Sequence, residues 1–165
     1  LYFMPLQETY KTPTYTEIKP PTGGSGGEGG DSTGVVASAR KLIGLPYVWG
    51  GNYPPLGNDN GTDCSGLCMW AYNDCGLLDE VGLGGRWTTY TMIEHGTYID
   101  DLSKAKPGDV MFSGFSSPGV PEHVVLIAEI SYNEITIIEA QQPGTNILER
   151  TVTWDSSTME IRRLL

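Results

Sequence analysis

Gly61-Thr62-Asp63-Cys64-Ser65-Gly66, running on into Leu67-Cys68-Met69-Trp70, decides how this chain is read. Upstream, residues 52–61 (NYPPLGNDNG) hold two prolines, two glycines and three asparagines, a composition that excludes regular structure. Downstream, the residues are mostly helix-compatible as far as Asp74, and Gly76 is a natural stop. Asp63 is the expected N-cap, because its carboxylate can accept from orphan N–H groups of the first turn. Cys64 then falls at the first helical position. Unpaired N–H groups and the helix dipole there favour a thiolate over a thiol, the condition a reactive cysteine needs.

Cys64, Cys68 and Cys75 are spaced by four and seven residues, on one helical stripe with Leu67 and Ala71. Free cysteine is among the most buried residue types, so Cys68 and Cys75 are read as core, while the helix-terminal position separates Cys64 from them. The spacing lacks the short pairs of structural zinc modules, and only two histidines exist to complete a site, so no metal or other cofactor is expected.

Residues 1 to about 30 read as an extended tether. Prolines stand at 5, 13, 20 and 21, and a glycine-rich linker occupies residues 23–30. The start LYFMPLQETY lacks the basic and apolar regions of a signal peptide and does not begin with methionine, which suggests a piece of something larger. The folded domain is expected from Asp31 to the end. Asp31-Ser32-Thr33 can cap a helix over Val35 to Ile43, stopped by Gly44. In Pro46-Tyr47-Val48-Trp49-Gly50-Gly51, glycines permit close backbone approach, and Trp49 is expected to pack against the turn.

Beyond the cysteine helix, residues 79–85 read as a glycine-rich connection. Thr88 or Thr89 could cap a short helix ending near His95, whose place in the last turn is explained by the helix dipole. Pro107-Gly108-Asp109 is a turn into the short strand Val110-Met111-Phe112, and residues 114–121 read as a loop. Two β-rich runs follow, His123 to Ile130 and Glu134 to Ala140, joined by the hairpin-sized Ser131-Tyr132-Asn133. Asn146 to Thr153 and Met159 to Leu164 look like two more strands. Helices first and strands last indicate an α+β fold with an antiparallel sheet.

A thiolate at a helix start needs a partner that can take and return a proton, and histidine is suited to that near neutrality. His123, expected at the mouth of an apolar strand directly after a loop, is the better of the two histidines. Glu139, at the end of the adjoining strand, could fix its tautomer if the strands pair through the 131–133 turn; Gln141 is the fallback.

TDCSG, preceded by PYVWGG and followed in order by PGDVMF, HVVLIAEI and IIEA, resembles the NlpC-like family of cell-wall cysteine peptidases. The likeness runs from about Ser32 to Leu164. It implies a papain-like fold, the nucleophile helix packed on an antiparallel sheet, and cleavage of peptide bonds in the stem peptide of bacterial peptidoglycan, often after D-glutamate. It also implies Cys64 as nucleophile and His123 as general base. Tyr47 matches a position that assists the oxyanion or lines the cleft, Asp63 and Ser65 match positions that contact the stem peptide, and Arg86 resembles another. The third catalytic position in the family is commonly His, Asn or Gln, whereas Glu139 stands there in this chain.

Ten basic against twenty acidic residues give a net charge of −10, which argues against nucleic acid or an anionic membrane as partner. No apolar run approaches the roughly 20 residues of a membrane span. The expected setting is extracellular, in the cell wall or on a virion, with the domain tethered to a larger wall hydrolase or a phage tail. An amidase or acyltransferase on the same fold, a silent wall-binding module and a zinc module are the competing readings.

Overall fold

The computed structural model describes residues 33–165, so the tether expected over residues 1–30 and the caps at Asp31 and Ser32 lie outside the described residues. Helices α1 (Val35–Arg40), α2 (Cys64–Asp74), α3 (Leu78–Val81) and α4 (Thr89–Ile93) come first. Strands β1 (Thr97–Ile99), β2 (Val110–Ser117), β3 (Val120–Ser131), β4 (Glu134–Glu139), β5 (Leu148–Thr153) and β6 (Glu160–Arg163) follow, forming one sheet of order β1-β6-β2-β3-β4-β5. Every neighbouring pair of strands is antiparallel, as an α+β arrangement requires.

Strand alternation divides the apolar residues between the two sheet faces. One face carries Phe112, Val124, Leu126, Ile138 and Ala140, which pack with Val36, Leu67, Cys68, Trp70 and Trp87 from the helical side. The opposite face carries Met111, Val125, Ile127, Ile135, Ile137 and Ile161, covered by Leu102, Ala105, Trp154 and Met159. Burial on both faces explains why β3 and β4 read as nearly continuous apolar runs rather than alternating ones.

Several elements differ from the sequence expectation. Helix α1 ends at Arg40 rather than Ile43, because Leu42 N and Ile43 N bond the carbonyls three residues back and tighten the chain toward Gly44. Its N-cap is Gly34 at φ 80°, with Thr33 Oγ1 accepting from Val35 N. Part of the 79–85 connection is the single turn α3. The segment 114–121 is sheet, not loop. Its glycine and serines hide the alternation, but β2 and β3 pair around a turn at Pro118-Gly119, with a bulge between Phe115 and Ser117. His123 therefore lies inside β3, opposite Ser113, and not at the strand mouth. Strand β1, absent from the sequence reading, pairs with β6 at the sheet edge.

Candidate active site

The start of α2 is built as the cap chemistry dictates. Asp63, with extended backbone, accepts from Gly66 N through Oδ1 at 2.8 Å, and Cys64 is the first helical residue. Gly50 N donates to the other oxygen at 3.1 Å, tying the PYVWGG segment to the helix start. That segment runs beside the TDC stretch: Tyr47 bridges Thr62 in parallel, and Val48 N donates to Thr62 O at 2.9 Å. The approach needs Gly61, where a Cβ would sit 1.8 Å from Pro46 O. Tyr47 is thereby fixed next to the nucleophile segment, half-buried against the helical core. Trp49 is not buried as expected; it is 68% exposed.

Arg86 occupies the centre of this clasp. Its Nε donates to Asn52 Oδ1 (2.7 Å), Nη1 to Ser65 Oγ (3.2 Å) and Trp87 O (2.6 Å), and Nη2 to Gly51 O (3.0 Å) and Asp63 Oδ1 (2.7 Å). A guanidinium has five N–H donors, and all five are taken within the protein. Ser65 Oγ also donates to Asp63 Oδ1 at 3.3 Å. The three side chains expected to meet substrate thus form one self-satisfied network around the helix start. Gly66 makes room for it, since a Cβ there would meet Arg86 Nη2 at 2.7 Å and Gly51 O at 2.8 Å.

His123 reaches this helix start from β3. Its imidazole is 16% exposed and hydrogen-bonds Glu139 Oε2 through Nε2 at 2.9 Å, which leaves Nδ1 for the Cys64 sulfur, the neighbour that acts on it electrostatically from the helix start. Burial pulls the imidazole toward its neutral form, but the polar interactions with Cys64 and Glu139 and their negative charges outweigh it, raising the pKa from 6.5 to about 10. Burial likewise opposes ionisation of Glu139, which is 0% exposed, yet His123 and then Arg150 hold its carboxyl below the usual range. Gln141 makes no hydrogen bond to His123, and its Oε1 is buried without a partner among the described residues.

The other cysteines differ. Burial pushes the Cys68 thiol far up, with the Cys64 charge adding to it, so Cys68 is an inert core group. Cys75, expected in the core, is the C-cap of α2 and packs at the edge of the helical cluster, half-buried, with its Sγ 3.2 Å from Ser38 Oγ. His95 stands apart, its Nε2 bonded to Val81 O at 2.5 Å. Among the described residues no group of three His, Cys, Asp or Glu could hold a metal ion, and no helix is long and apolar enough to cross a membrane.

Sequence reasoning missed Arg150, which bonds Glu139 Oε1 from β5, and Asn52, the acceptor for Arg86 Nε. A cation on a strand expected to neighbour Glu139 was the available signal for the first. The second sat in a loop with no pattern to read.

A helix-start cysteine, a strand histidine and a buried carboxylate on a helix-plus-antiparallel-sheet scaffold define a papain-like thiol site. The NlpC/P60 family model matches residues 44–163, and the chain belongs to that family. Protein P54 of Enterococcus faecium is 40% identical over 122 residues, covering 73% of this chain and 20% of that protein. A probable endopeptidase of Mycobacterium tuberculosis is 37% identical over 109 residues, covering 60% of this chain and 27% of its own length. The chain thus spans about a quarter or less of these relatives. Among solved structures, the Resuscitation Promoting Factor Interacting protein RipA superposes with a TM-score of 0.54 at 25% identity, over 78% of this chain and 59% of that one. An NlpC/P60 family protein from Bacillus cereus superposes at 0.61 and 18% identity, over 83% and 41%, and supports the fold.

Proposed function

We propose that the chain is a cysteine endopeptidase that hydrolyses the stem peptide of bacterial peptidoglycan, cutting after D-glutamate. The observation that carries this reading is the series Cys64–His123–Glu139 at the start of α2, with His123 hydrogen-bonded to Glu139 and its pKa raised by Cys64, within a chain of the NlpC/P60 family whose relatives include named endopeptidases. The Cys64 thiolate attacks the scissile carbonyl carbon, and backbone N–H groups at the helix start receive the oxyanion, with Tyr47 beside them. As the C–N bond breaks, the His123 imidazolium gives its proton to the leaving amine. The neutral imidazole then takes a proton from water, hydroxide attacks the thioester, and the thiolate leaves.

Asp63 and Ser65 edge the cleft in this scheme, and Arg86 acts through them rather than by touching substrate, because its donors are already occupied. We assign residues 1 to about 30 the role of a tether to a larger wall hydrolase or phage tail, with action at the cell wall. Digestion of defined muropeptides followed by mass analysis is the test. New amine and carboxyl ends at the D-glutamate bond support the reading; release at the sugar–peptide amide, or acyl transfer to an added amine, would replace it with the amidase or acyltransferase alternative.

A further inference from the structure

Glu139 lies on a strand flanked by two others, and both neighbours reach its carboxylate diagonally. Strands β3 and β4 pair Leu126 with Ile138; continuing that register puts Glu139 opposite Val125, so His123 is the diagonal neighbour. On the other side, β5 pairs Leu148 with Glu139 and Arg150 with Ile137, so Arg150 is the diagonal neighbour there. Diagonal positions on one face are within reach of long side chains. Each oxygen has its own partner: Oε2 bonds His123 Nε2 at 2.9 Å, and Oε1 bonds Arg150 Nε.

We infer that Arg150 is a positioning residue for catalysis, a permanent counter-ion that keeps the buried Glu139 a carboxylate while His123 cycles between charged and neutral forms. The inference rests on the Cys64–His123 peptidase reading. In that cycle the imidazole loses its charge when it protonates the leaving amine. With His123 as sole partner, Glu139 would at that moment be an uncompensated buried anion, a state several kcal/mol unfavourable in general. It would then draw a proton to itself, and a neutral carboxyl can donate as well as accept. The imidazole could then lose the Nε2–H tautomer that leaves Nδ1 for the sulfur and the water. Arginine does not titrate in this range, so its charge is present in both halves of the cycle.

The surrounding charges are otherwise engaged. On β5, Glu149 bonds Arg40 of α1 at 2.9 Å. On β3, Glu122 accepts from Tyr90 of α4 at 2.7 Å and from Ser116 of β2 at 2.9 Å. At the start of α2, Asp63 is paired with Arg86, which leaves Cys64, His123 and Arg150 as the charged groups that meet at Glu139 or through its imidazole partner.

The test compares wild type, Arg150→Met and Arg150→Lys as full chains, each alone and combined with Glu139→Gln. It reads kcat/KM on a defined stem peptide against pH, and the NMR titration of His123 with His95 as internal reference. Removing a cation makes every nearby group easier to protonate. In Arg150→Met, both limbs of the rate profile should therefore move to higher pH and His123 should titrate higher, while the rate falls on the order of tenfold to a hundredfold through lost orientation. Arg150→Lys should return both limbs to near the wild-type positions and restore part of the rate. In the Glu139→Gln background, where no buried anion needs a counter-ion, Arg150→Met should cost little further rate, leaving only the direct effect of the lost cation on the His123 titration. A reduced rate with unmoved limbs, or equal losses in both backgrounds, would overturn the inference. Should Arg150→Met fail to fold, the lysine variant and the doubly neutral pair decide. The His123 titration needs no substrate, so a wild type inert on muropeptides would defeat the peptidase reading while the role of Arg150 is still decided.

Discussion

At the residue scale, the three cysteines differ in environment and so make a direct test of which one acts. Cys64→Ala should abolish hydrolysis of a defined stem peptide while the fold persists, since Cys64 is half-buried at a helix start. Cys68→Ala should leave the rate near wild type and cost about 1–2 kcal/mol of stability through the lost core sulfur. Cys75→Ala should cost less, because it is already partly solvated. Full activity in folded Cys64→Ala would remove the nucleophile assignment. For Glu139, the sign follows from the two shifts. The His123 pKa is raised from 6.5 to about 10, so its contribution to stability is fully present below about 6.5 and lost as pH rises through about 10. The Glu139 pKa is lowered, so its contribution is present above the ordinary carboxylate range and lost as pH falls through the depressed value. Glu139→Gln should therefore show its largest loss of Tm, relative to wild type, near neutral to mildly acidic pH, with the difference shrinking toward pH 10. An unpaired Arg150 in that variant adds an offset that does not follow His123, so the slope is the diagnostic. The same change should keep partial activity with the alkaline limb moved to lower pH, and Glu139→Ala should lose more because the ring can rotate. A flat Tm difference across that range would place the orienting role elsewhere.

At the scale of elements, helix α2 and its loop behave as one unit, held by the Arg86 network rather than by the helix alone. Gly66→Ala is the sharpest probe, because the added methyl would sit within 2.9 Å of Arg86 Nη2, Gly51 O and Asp63 Oδ1 at once. Moving that clasp should cost about 1–3 kcal/mol, as overpacking does elsewhere, and should lower kcat more than it changes KM, since the helix start is displaced rather than a substrate contact removed. A wild-type Tm and rate in Gly66→Ala would show the clasp to be dispensable. The same element explains what was legible in the sequence. A capping carboxylate, a loop that cannot be regular and a stop glycine are local signals, so α2 and the place of Cys64 could be read within a residue. The turn at 131–133 was local too, and it brought Glu139 within reach of His123. Register is not local. Arg150 meets Glu139 only because Leu148 pairs with Glu139 across a separate connection, and β1 exists only because Thr97–Ile99 finds β6 some sixty residues later. The β2–β3 hairpin was hidden for a different reason: Gly114, Ser116 and Ser117 give no alternation, and backbone pairing alone makes them strand. Trp49 shows the limit of residue averages, which favour burial for an aromatic beside a turn even where the chain leaves most of the ring exposed.

At the scale of the molecule, the helices cover one face of the sheet with one apolar cluster, while the second cluster lies on the opposite face beneath residues 102–105 and 154–159. The proposed active-site series reaches across this layer boundary: Cys64 comes from the helical layer, whereas His123, Glu139 and Arg150 come from three adjacent strands. Opening the contact between helix and sheet should thus abolish activity before either layer loses its own hydrogen bonds. Each of these residues, each partner named for it and both clusters fall within residues 33–165, and the family match falls within residues 44–163. A chain beginning at Asp31 should therefore unfold in one cooperative transition at the Tm of the full chain, and should cleave a soluble muropeptide with unchanged kcat/KM. Soluble substrate is the informative choice, because a tether alters how often the domain meets an insoluble wall but not the geometry at Cys64. Slower cleavage of intact wall with unaltered cleavage of the soluble peptide would assign residues 1–30 a delivery role. A broadened transition, or a Tm several degrees lower, would show instead that the segment packs on the domain, and the boundary near Asp31 would have to be moved toward the N-terminus.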